Sequence, residues 1–421
     1  MPPHGRATDA TSPDVSAAPL LPRSTDLIIV GGGIVGLATA YRFLLRFPSL
    51  RLTILEKESA VGTHQSGRNS NVIHAGVYYR PGTLRAELCR SGKLLMEQFL
   101  AEQGLPHLRC GKLVVATHER ELLGLGALHT RASSNGVRCA VVDERRMREI
   151  EPECRGVRAL HVPDSGVTDY RMVMDRLVVL LRGLGATIVT DCAVARIEST
   201  DAECVVHTTH GSCTGKFAIA CAGLHSDRVA RKSGLDPGVQ VIPFRGEYFE
   251  LKPASRHLVR GLIYPVPDPT LPFLGVHLTI TAHGGVECGP NAVLAFAREG
   301  YTRTTVDAGD LFETLCYRGF WKLARKHWRN GLSEMRRSMS PTVFCRSLKV
   351  LVPAICLDQL VPVPSGVRAQ AVTRHGELAD DFIILRQHRV LHVCNAPSPA
   401  ATASFAIGDA IVDQAKRCSW S

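Results

Sequence analysis

The sequence predicts an α/β protein: a Rossmann-type dinucleotide-binding domain with an interleaved α+β substrate domain built on an antiparallel sheet. Three observations predict this fold class. An apolar run breaks into glycines within residues 26–36, a second apolar run ends in an acidic residue at position 56, and residues 240–300 alternate apolar and polar positions between Pro and Gly breaks. A chain of 421 residues is also too long to fold around one small hydrophobic core, so more than one domain is expected.

The stretch 26–36 predicts a buried strand, a tight turn and a helix. Its apolar half suits a strand that is covered on both faces. Gly31, Gly33 and Gly36 have the G-x-G-x-x-G spacing, in which the first makes the turn and the second admits a pyrophosphate close to the backbone. The third lets the helix lie near the strand, and the helix amino terminus offers free N–H groups to phosphate.

The second strand, predicted at 52–55, ends in Glu56, about twenty residues beyond the last glycine, where an acidic side chain hydrogen-bonds a ribose hydroxyl. This context favours a dinucleotide site over an ordinary strand-turn-helix. The polar, glycine-punctuated segment 57–79 that follows is long enough to indicate a functional loop, with a plain surface loop as the alternative. Four of its side chains can donate hydrogen bonds to a phosphate or a flavin ring: Ser66, Arg68, Asn69 and Ser70.

The rest of the chain is assigned from its periodicity. Helices are predicted near 84–105, 119–134, 172–184, 307–325 and 341–350 and at the carboxyl end, and strands at 111–116, 186–190, 193–198, 217–223, 383–385 and 390–394. The predicted dinucleotide domain is discontinuous, comprising 26–83, 150–240 and 366–421. The substrate domain takes 84–149 and 241–365.

Residues 318–329 predict a helix with two distinct stripes. Phe320, Trp321, Ala324 and Trp328 share one stripe, and Lys322, Arg325, Lys326 and Arg329 share the other. A basic helix with Trp on its apolar side suits an anionic bilayer. We favour the alternative, in which the tryptophans pack into the substrate domain beneath a solvated basic face.

The formal charge of +11 favours anionic partners such as dicarboxylates, phosphates or acidic membrane surfaces, and no nucleic-acid partner is expected. No run approaches the roughly twenty apolar residues of a membrane-spanning helix, so a membrane contact would be peripheral. The fourteen cysteines are scattered, without Cys-x-x-Cys pairs or zinc spacing. No metal site is therefore predicted, and a reducing compartment is expected.

Residues 1–25 are rich in Pro, Ser, Thr and Ala and predict a flexible leader. Asp9 and Asp14 are unusual in a mitochondrial presequence, and no secretory h-region follows. A cytoplasmic protein, peripheral on the inner membrane face if it is membrane-associated, is therefore favoured over a mitochondrial one.

Seven strings carry a family resemblance: residues 31–36, 64–79, 243–248, 272–277, 289–296, 366–370 and 395–401. Together they resemble the L-2-hydroxyglutarate dehydrogenases, within the D-amino-acid-oxidase-like flavoprotein superfamily, from Asp26 to the carboxyl end. Two positions depart from the family pattern, since Asn71 stands where glycine is usual and Ser365 where alanine is usual. If position 71 needs a positive φ, asparagine is the least costly non-glycine residue.

The resemblance implies FAD as the cofactor, not NAD, and oxidation of L-2-hydroxyglutarate to 2-oxoglutarate. It also implies that electrons leave for a quinone or another electron-transfer partner at a membrane. By the same resemblance Val194 contacts adenine through its backbone, Ala222 and Gly223 border the nucleotide, and the 395–401 string passes under the isoalloxazine. The expected FAD contacts are Gly31, Gly33, Gly36, Glu56, Lys57, Ser66, Arg68, Asn69, Ser70, Val194, Ala222, Gly223, Asn395, Pro397 and Ala400.

Oxidation of a 2-hydroxy acid requires a base for the hydroxyl proton, and histidine suits this task because its ordinary pKa is near neutral pH. His74, in the segment expected beside the flavin, and His277, in the substrate sheet, are the two candidates. Arginine matches a carboxylate with its planar fork, which singles out Arg245 and Arg368.

Tyr79 and Tyr264 are predicted supporting donors. Tyr78 would point to the opposite face if its segment is extended. Two other functions stay open at this point: a related flavin-dependent amine or glycerol-3-phosphate oxidase or dehydrogenase, and a non-catalytic flavin-binding protein at a membrane.

Overall fold

The computed structural model describes residues 20–268 and 273–417. Most of the predicted leader therefore lies outside the described residues. Its last two residues, Ser24 and Thr25, already belong to the first strand.

Twenty strands and ten α-helices make up the described part. In chain order the strands are β1 (Ser24–Val30), β2 (Leu52–Leu55), β3 (Val72–Ile73), β4 (His107–Leu108), β5 (Lys112–Ala116), β6 (Ala140–Asp143), β7 (Arg158–Val162), β8 (Gly166–Thr168), β9 (Thr187–Val189), β10 (Val194–Ser199), β11 (Cys204–Thr208), β12 (Gly211–Ala220), β13 (Val239–Leu251), β14 (Leu262–Pro265), β15 (His277–Ile280), β16 (Val286–Gly289), β17 (Val293–Leu294), β18 (Leu360–Thr373), β19 (Ile383–Gln387) and β20 (Val390–Asn395). The helices are α1 (Ile34–Arg46), α2 (Leu84–Glu102), α3 (Leu122–Ser134), α4 (Glu144–Ile150), α5 (Tyr170–Gly183), α6 (Ser226–Lys232), α7 (Ala308–Cys316), α8 (Arg318–Met339), α9 (Pro341–Lys349) and α10 (Ala400–Lys416).

The first sheet runs in the order β10-β11-β12-β1-β2-β9, with β20 joined to β12 and β19 joined to β20. Strand β1 lies at its centre and pairs in parallel with β12 and β2. Its side chains alternate between two cores: Leu27 and Ile29 pack with α1, α5 and α10, whereas Ile28 and Val30 pack on the other face. Burial on both faces explains the uninterrupted apolar run that the sequence showed.

The second sheet has nine strands, in the order β17-β13-β16-β15-β14-β5-β7-β6 with β18 paired to β13. Every pair is antiparallel except β14 with β5. In the long β13–β18 pair, Phe244 lies opposite Arg368 and Gly246 lies opposite Gly366. The predicted combination of a parallel-centred α/β sheet and an antiparallel sheet is confirmed.

Three segments differ from the predicted division into domains. Helix α2 packs on the first sheet's helices, where the rings of Phe99 and Phe405 lie 4.8 Å apart. Strand β7 belongs to the second sheet, although 150–240 was assigned to the dinucleotide domain. Strand β18 also belongs there, so the return to the first sheet comes after residue 373, not at 366.

The predicted helix 307–325 is in fact two helices. Helix α7 ends at Cys316, Tyr317 is extended, and α8 continues to Met339 with non-helical dihedrals at His327. Trp321 and Trp328 are 57% and 54% exposed, so the favoured packing of these tryptophans into the substrate domain is wrong. Leu323 makes the core contact instead. No described helix is long and apolar enough to cross a bilayer.

Candidate active site

A cavity of about 1350 Å³ lies between the two sheets. Pockets for drug-sized ligands occupy roughly 300–1000 Å³, so this volume suits a dinucleotide together with a small substrate. One end is lined by the glycine turn after β1, and the other end by side chains on one face of the second sheet.

The three glycines fit the roles that their spacing predicts. Gly31 has φ +103, and a Cβ there would lie 2.3 Å from the carbonyl oxygen of Cys221. A Cβ at Gly36 would lie 2.1 Å from the carbonyl oxygen of Gly31, so the helix approaches the turn closely. At Gly33 a Cβ would meet only Ser66 Oγ, at 3.1 Å, and otherwise the open cavity. The backbone at Gly33 is thus accessible to a phosphate group, as a bound dinucleotide requires.

Glu56 and Ser66 shape the same end of the cavity. Glu56 is buried, and its carboxylate accepts the Gly32 N–H at 2.7 Å and the Glu58 N–H at 2.9 Å. Ser66 Oγ accepts the N–H of Ile34, the first residue of α1, at 3.0 Å. Both side chains are held beside the helix amino terminus, which attracts negative charge.

Three other predicted cofactor residues line the cavity with their polar atoms committed to protein. Lys57 Nζ pairs with Glu299 at 2.6 Å. Arg68 donates to the Thr63 carbonyl at 3.1 Å, and Asn69 Nδ2 donates to the Ser66 carbonyl at 2.8 Å. These side chains shape the loop around the cavity.

The remaining predicted cofactor residues also line the cavity: Ser70, Val194, Ala222, Gly223, Asn395, Pro397 and Ala400. Asn395 uses its Nδ2 to donate to the carbonyls of Ala379 and Asp381. Asn71 has φ 56, which agrees with the expected reason for asparagine at that position.

A charged cluster of Glu58, His64 and Glu299 lies beside this loop, with ligand atoms within 4.8 Å of one another. Lys57 pairs with both carboxylates, and His225 Nε2 lies 2.8 Å from Glu299. Although burial acts to raise the pKa of Glu299, the hydrogen bonds from His225 and Lys57 lower it to about 2. Lys57 and the two histidines already bond the two carboxylates, and the cluster joins the 58–64 loop to the segment after β17.

The two candidate bases both line the far end of the cavity. His277 Nδ1 lies 3.0 Å from the Gly275 carbonyl, so Nδ1–H donates and Nε2 keeps its lone pair. Burial lowers the pKa of His277 to about 3. His74 is half-buried, its imidazole has no hydrogen bond to a described residue, and burial followed by the charge of Lys112 lowers its pKa well below the ordinary value. Both imidazoles are therefore neutral near pH 7.

The structure brings one of the two predicted arginines to the cavity. Arg368 faces it, lies 5.1 Å over the ring of Phe273 and forms no ion pair with a described residue. Arg245 is 5% exposed, pairs with Glu247 at 3.2 Å and donates to the Thr302 carbonyl at 3.0 Å. Alternation along β13 explains the difference, since Phe244 lines the cavity and its neighbour points to the opposite face.

Three tyrosines line the same cavity as the two histidines. Tyr264 stacks on His277 with ring centroids 3.8 Å apart, and Tyr79 lies beneath the guanidinium of Arg85 at 4.6 Å. Tyr78 also lines the cavity, contrary to the expectation of an opposite face, because residues 74–80 form turns and not a strand. Its hydroxyl is buried without a hydrogen-bond partner among the described residues.

Sequence reasoning missed Tyr248 and Lys112. Tyr248 lines the cavity from β13. Lys112 is a buried lysine inside an otherwise apolar strand, and that isolated charge was the available signal.

Comparison with known proteins gives consistent results. The model of the family described as FAD dependent oxidoreductase matches residues 26–414. L-2-hydroxyglutarate dehydrogenase of Indibacter alkaliphilus is 44% identical over 401 residues, covering 94% of this chain and 98% of the relative. The mitochondrial L-2-hydroxyglutarate dehydrogenase of Nematostella vectensis is 44% identical over 410 residues, covering 93% and 90%. Among solved structures, L-α-glycerophosphate oxidase of Mycoplasma pneumoniae with FAD bound has a TM-score of 0.78 at 23% identity, over 93% of this chain and 95% of the other.

Proposed function

Because the chain belongs to the family of FAD-dependent oxidoreductases, we propose that it oxidises L-2-hydroxyglutarate to 2-oxoglutarate. FAD is the cofactor, and the residues at the dinucleotide end fit it: an open backbone at Gly33, the Glu56 carboxylate and the amino terminus of α1. When bound, FAD accepts the hydride equivalent that leaves C2 of the substrate. The observation that carries the substrate proposal is the convergence of two neutral imidazoles and one unpaired guanidinium on the other end of the same cavity.

The protein's own contribution begins with proton removal. We assign the base to His74, since its ring nitrogens are free of protein partners and its backbone is fixed by Thr402. The ring of His277 is covered on one side by Tyr264, and one of its nitrogens is occupied by the Gly275 carbonyl. His277 is the alternative base, because its Nε2 has a fixed lone pair. A neutral imidazole near the 2-hydroxyl takes its proton as the C–H bond breaks.

Arg368 holds a carboxylate of the substrate. A guanidinium that has no ion-pair partner among the described residues gains most from a carboxylate that supplies two acceptor oxygens. The guanidinium is exposed to the cavity beside the ring of Phe273, so a bound substrate can reach it. Fixing this end of a small diacid places the C2 hydroxyl at one distance from the histidines and restrains its rotation.

Electrons leave the enzyme for a quinone or another electron carrier at a membrane, and α7 with α8 forms the contact surface. From Trp328 onward the exposed apolar residues of α8 recur every three or four positions, which places them along one side of that part of the helix. Phe312 of α7 is 68% exposed. The apolar set on α8 comprises Trp321, Trp328, Leu332, Met335 and Met339, and the exposed basic set comprises Lys322, Arg325, Lys326 and Arg329.

This combination suits an anionic bilayer. Tryptophan and other apolar side chains enter the boundary between headgroups and acyl chains, and adjacent Lys and Arg side chains contact anionic headgroups. Burying such residues in a lipid interface would also account for the exposed tryptophans and other large apolar side chains of α8.

Anaerobic titration of the FAD-loaded protein tests the reaction. We expect L-2-hydroxyglutarate to bleach the flavin absorbance, and the D enantiomer, glycine and glycerol 3-phosphate to leave it unchanged. Bleaching by glycine or glycerol 3-phosphate alone would assign the enzyme to an amine or glycerol-phosphate branch and overturn the proposal.

A further inference from the structure

Lys112 lies on the face of the second sheet that lines the cavity. It stands opposite Leu262 on β14, two residues from Tyr264, which stacks on His277. Alternation along the strands therefore puts Lys112, Tyr264 and His277 on one face. The Lys112 ammonium lies 4.0 Å from the Tyr264 ring centroid and 5.4 Å from that of Tyr78.

The ammonium has no negative partner. Lys112 is 2% exposed and forms no ion pair or hydrogen bond with a described residue through its side chain. Lys93, the other largely buried lysine, shows the usual solution, a 2.7 Å pair with Glu97. A buried charge without a counterion is costly, so its retention inside an apolar strand calls for a function.

The groups around Lys112 supply no carboxylate. They are Cys89 from α2, Cys110 before β5, His74 and Tyr78 from the segment before α2, Tyr264 from β14 and His277 from β15. Arg368 is a nearby cation, because it and Lys112 both act electrostatically on His277. Arg85 is a third cation at this end, but its guanidinium donates to the carbonyls of Ser398 and Asp380. Lys112 and Arg368 have no counterion among the described residues, at a site where a diacid would bring two negative charges.

We propose that Lys112 supplies the second positive charge for the bound substrate and makes the site select dicarboxylates over monocarboxylates. This inference rests on the proposed function and extends it to a specificity-determining residue. The ammonium lies behind the rings of Tyr78 and Tyr264, so it acts through its field across a dry layer where charges interact strongly. Arg368 contacts one carboxylate, and Lys112 attracts the other.

Binding of unreactive acids to the FAD-loaded protein tests the proposal without turnover. Glutarate and butyrate have similar length and differ by one carboxylate, and their binding is measured by calorimetry or by the change in flavin absorbance. We expect Lys112→Met to weaken the binding of glutarate about tenfold or more and that of butyrate less than about twofold, since a full charge acting across a partly dry site contributes on that order. Lys112→Arg should keep the preference for glutarate. Lys93→Met is the matched control and should leave the affinity for both acids unchanged.

The pH dependence provides a second measurement. Burial lowers the pKa of Lys112 to about 8, so in the wild-type protein the affinity for glutarate should fall above that pH as the ammonium loses its proton. The Lys112→Arg protein should show no such fall, because arginine stays charged. If Lys112→Met does not fold, the pH dependence of glutarate binding to the wild-type protein still tests the proposal.

Two results would overturn the inference: equal wild-type affinity for glutarate and butyrate, or equal losses for both acids in Lys112→Met. Failure of the proposed function would give a different result. L-2-hydroxyglutarate would then not reduce the flavin, while the difference in affinity between glutarate and butyrate would remain measurable.

Discussion

The backbone N–H of His74 donates a 3.1 Å hydrogen bond to Oγ1 of Thr402, a fully buried residue in the first turn of α10. The same oxygen bonds the Tyr170 hydroxyl at 2.9 Å and the Val72 carbonyl at 3.2 Å. One hydroxyl thus fastens the segment of the candidate base to the carboxyl-terminal helix.

Thr402→Val should loosen this attachment with little change in shape. It leaves the His74 N–H without its partner, whereas the Val72 carbonyl keeps its 3.1 Å bond from the Tyr170 hydroxyl, so we expect a loss of about 1–3 kcal/mol in the free energy of unfolding. The rate of flavin reduction should fall as well, because the imidazole is no longer held in place. Thr402→Ser retains the hydroxyl and serves as control. A valine variant with wild-type stability and rate would show that the hydrogen bond does not position His74.

Replacing the base should slow flavin reduction far more than it changes binding. We expect His74→Asn to lower the anaerobic reduction rate by about 10²- to 10⁴-fold, the usual contribution of a general base. His277→Asn should have a smaller effect, and His161→Asn, outside the cavity, should have none. Stopped-flow absorbance gives the rates. A larger loss in His277→Asn would transfer the role of the base to that residue.

The two arginines should separate substrate binding from folding. Arg368→Met removes the unpaired guanidinium in the cavity, so KM for L-2-hydroxyglutarate should rise at least about 10-fold with FAD retained. Arg245→Met should leave KM near the wild-type value. It should lower the free energy of unfolding by about 3 kcal/mol, because Glu247 is left in a largely buried site with one partner fewer. A rise in KM for Arg245→Met alone would contradict the geometry of β13.

These arginines show where sequence reasoning stops. Both lie in family strings, and both belong to strands that pair with each other. Which one faces the cavity depends on the register of that pair, since a shift of one residue exchanges the two faces of a strand. A single sequence does not contain that register, whereas the roles of Gly31, Gly33 and Gly36 follow from local spacing and could be predicted.

The Trp-containing helix marks a similar limit. Its periodicity predicted a helix, but it did not reveal which of two apolar sides contacts the core. Leu323 takes the core position, and Trp321 and Trp328 are left on the outside. The environment of Lys112 could not be predicted from the sequence, because it is assembled from four segments that are distant along the chain.

The exposed tryptophans give a membrane prediction. Trp321→Ser with Trp328→Ser should weaken binding to vesicles that contain anionic lipid by about tenfold or more, because each indole buries a large apolar surface in the interface. Neutralising Lys322, Arg325, Lys326 and Arg329 should weaken binding at low salt and have less effect at high salt. Cosedimentation with vesicles measures both. Equal binding by all three proteins at low salt would exclude this surface as the contact.

His392 in β20 makes stability depend on pH. The residue is 1% exposed, and neither ring nitrogen has a hydrogen-bond partner among the described residues. Burial lowers its pKa to about 4, while the unfolded chain should titrate near the ordinary value of about 6.5. The unfolded state therefore binds more protons between these values. The contribution of His392 to the free energy of unfolding is fully present above about pH 6.5 and is lost as the pH falls toward about 4.

Between pH 7.5 and pH 5 this difference amounts to about 2 kcal/mol in the free energy of unfolding. His392→Leu should remove that part of the pH dependence and should leave stability at pH 7.5 unchanged or higher, because it replaces two unsatisfied nitrogens with apolar atoms. His118→Leu, at an exposed position without an ion pair among the described residues, is the matched control. Urea denaturation at both pH values, with the same FAD concentration throughout, provides the measurement. If His392→Leu loses as much stability on acidification as the wild-type protein, His392 is not the group that titrates.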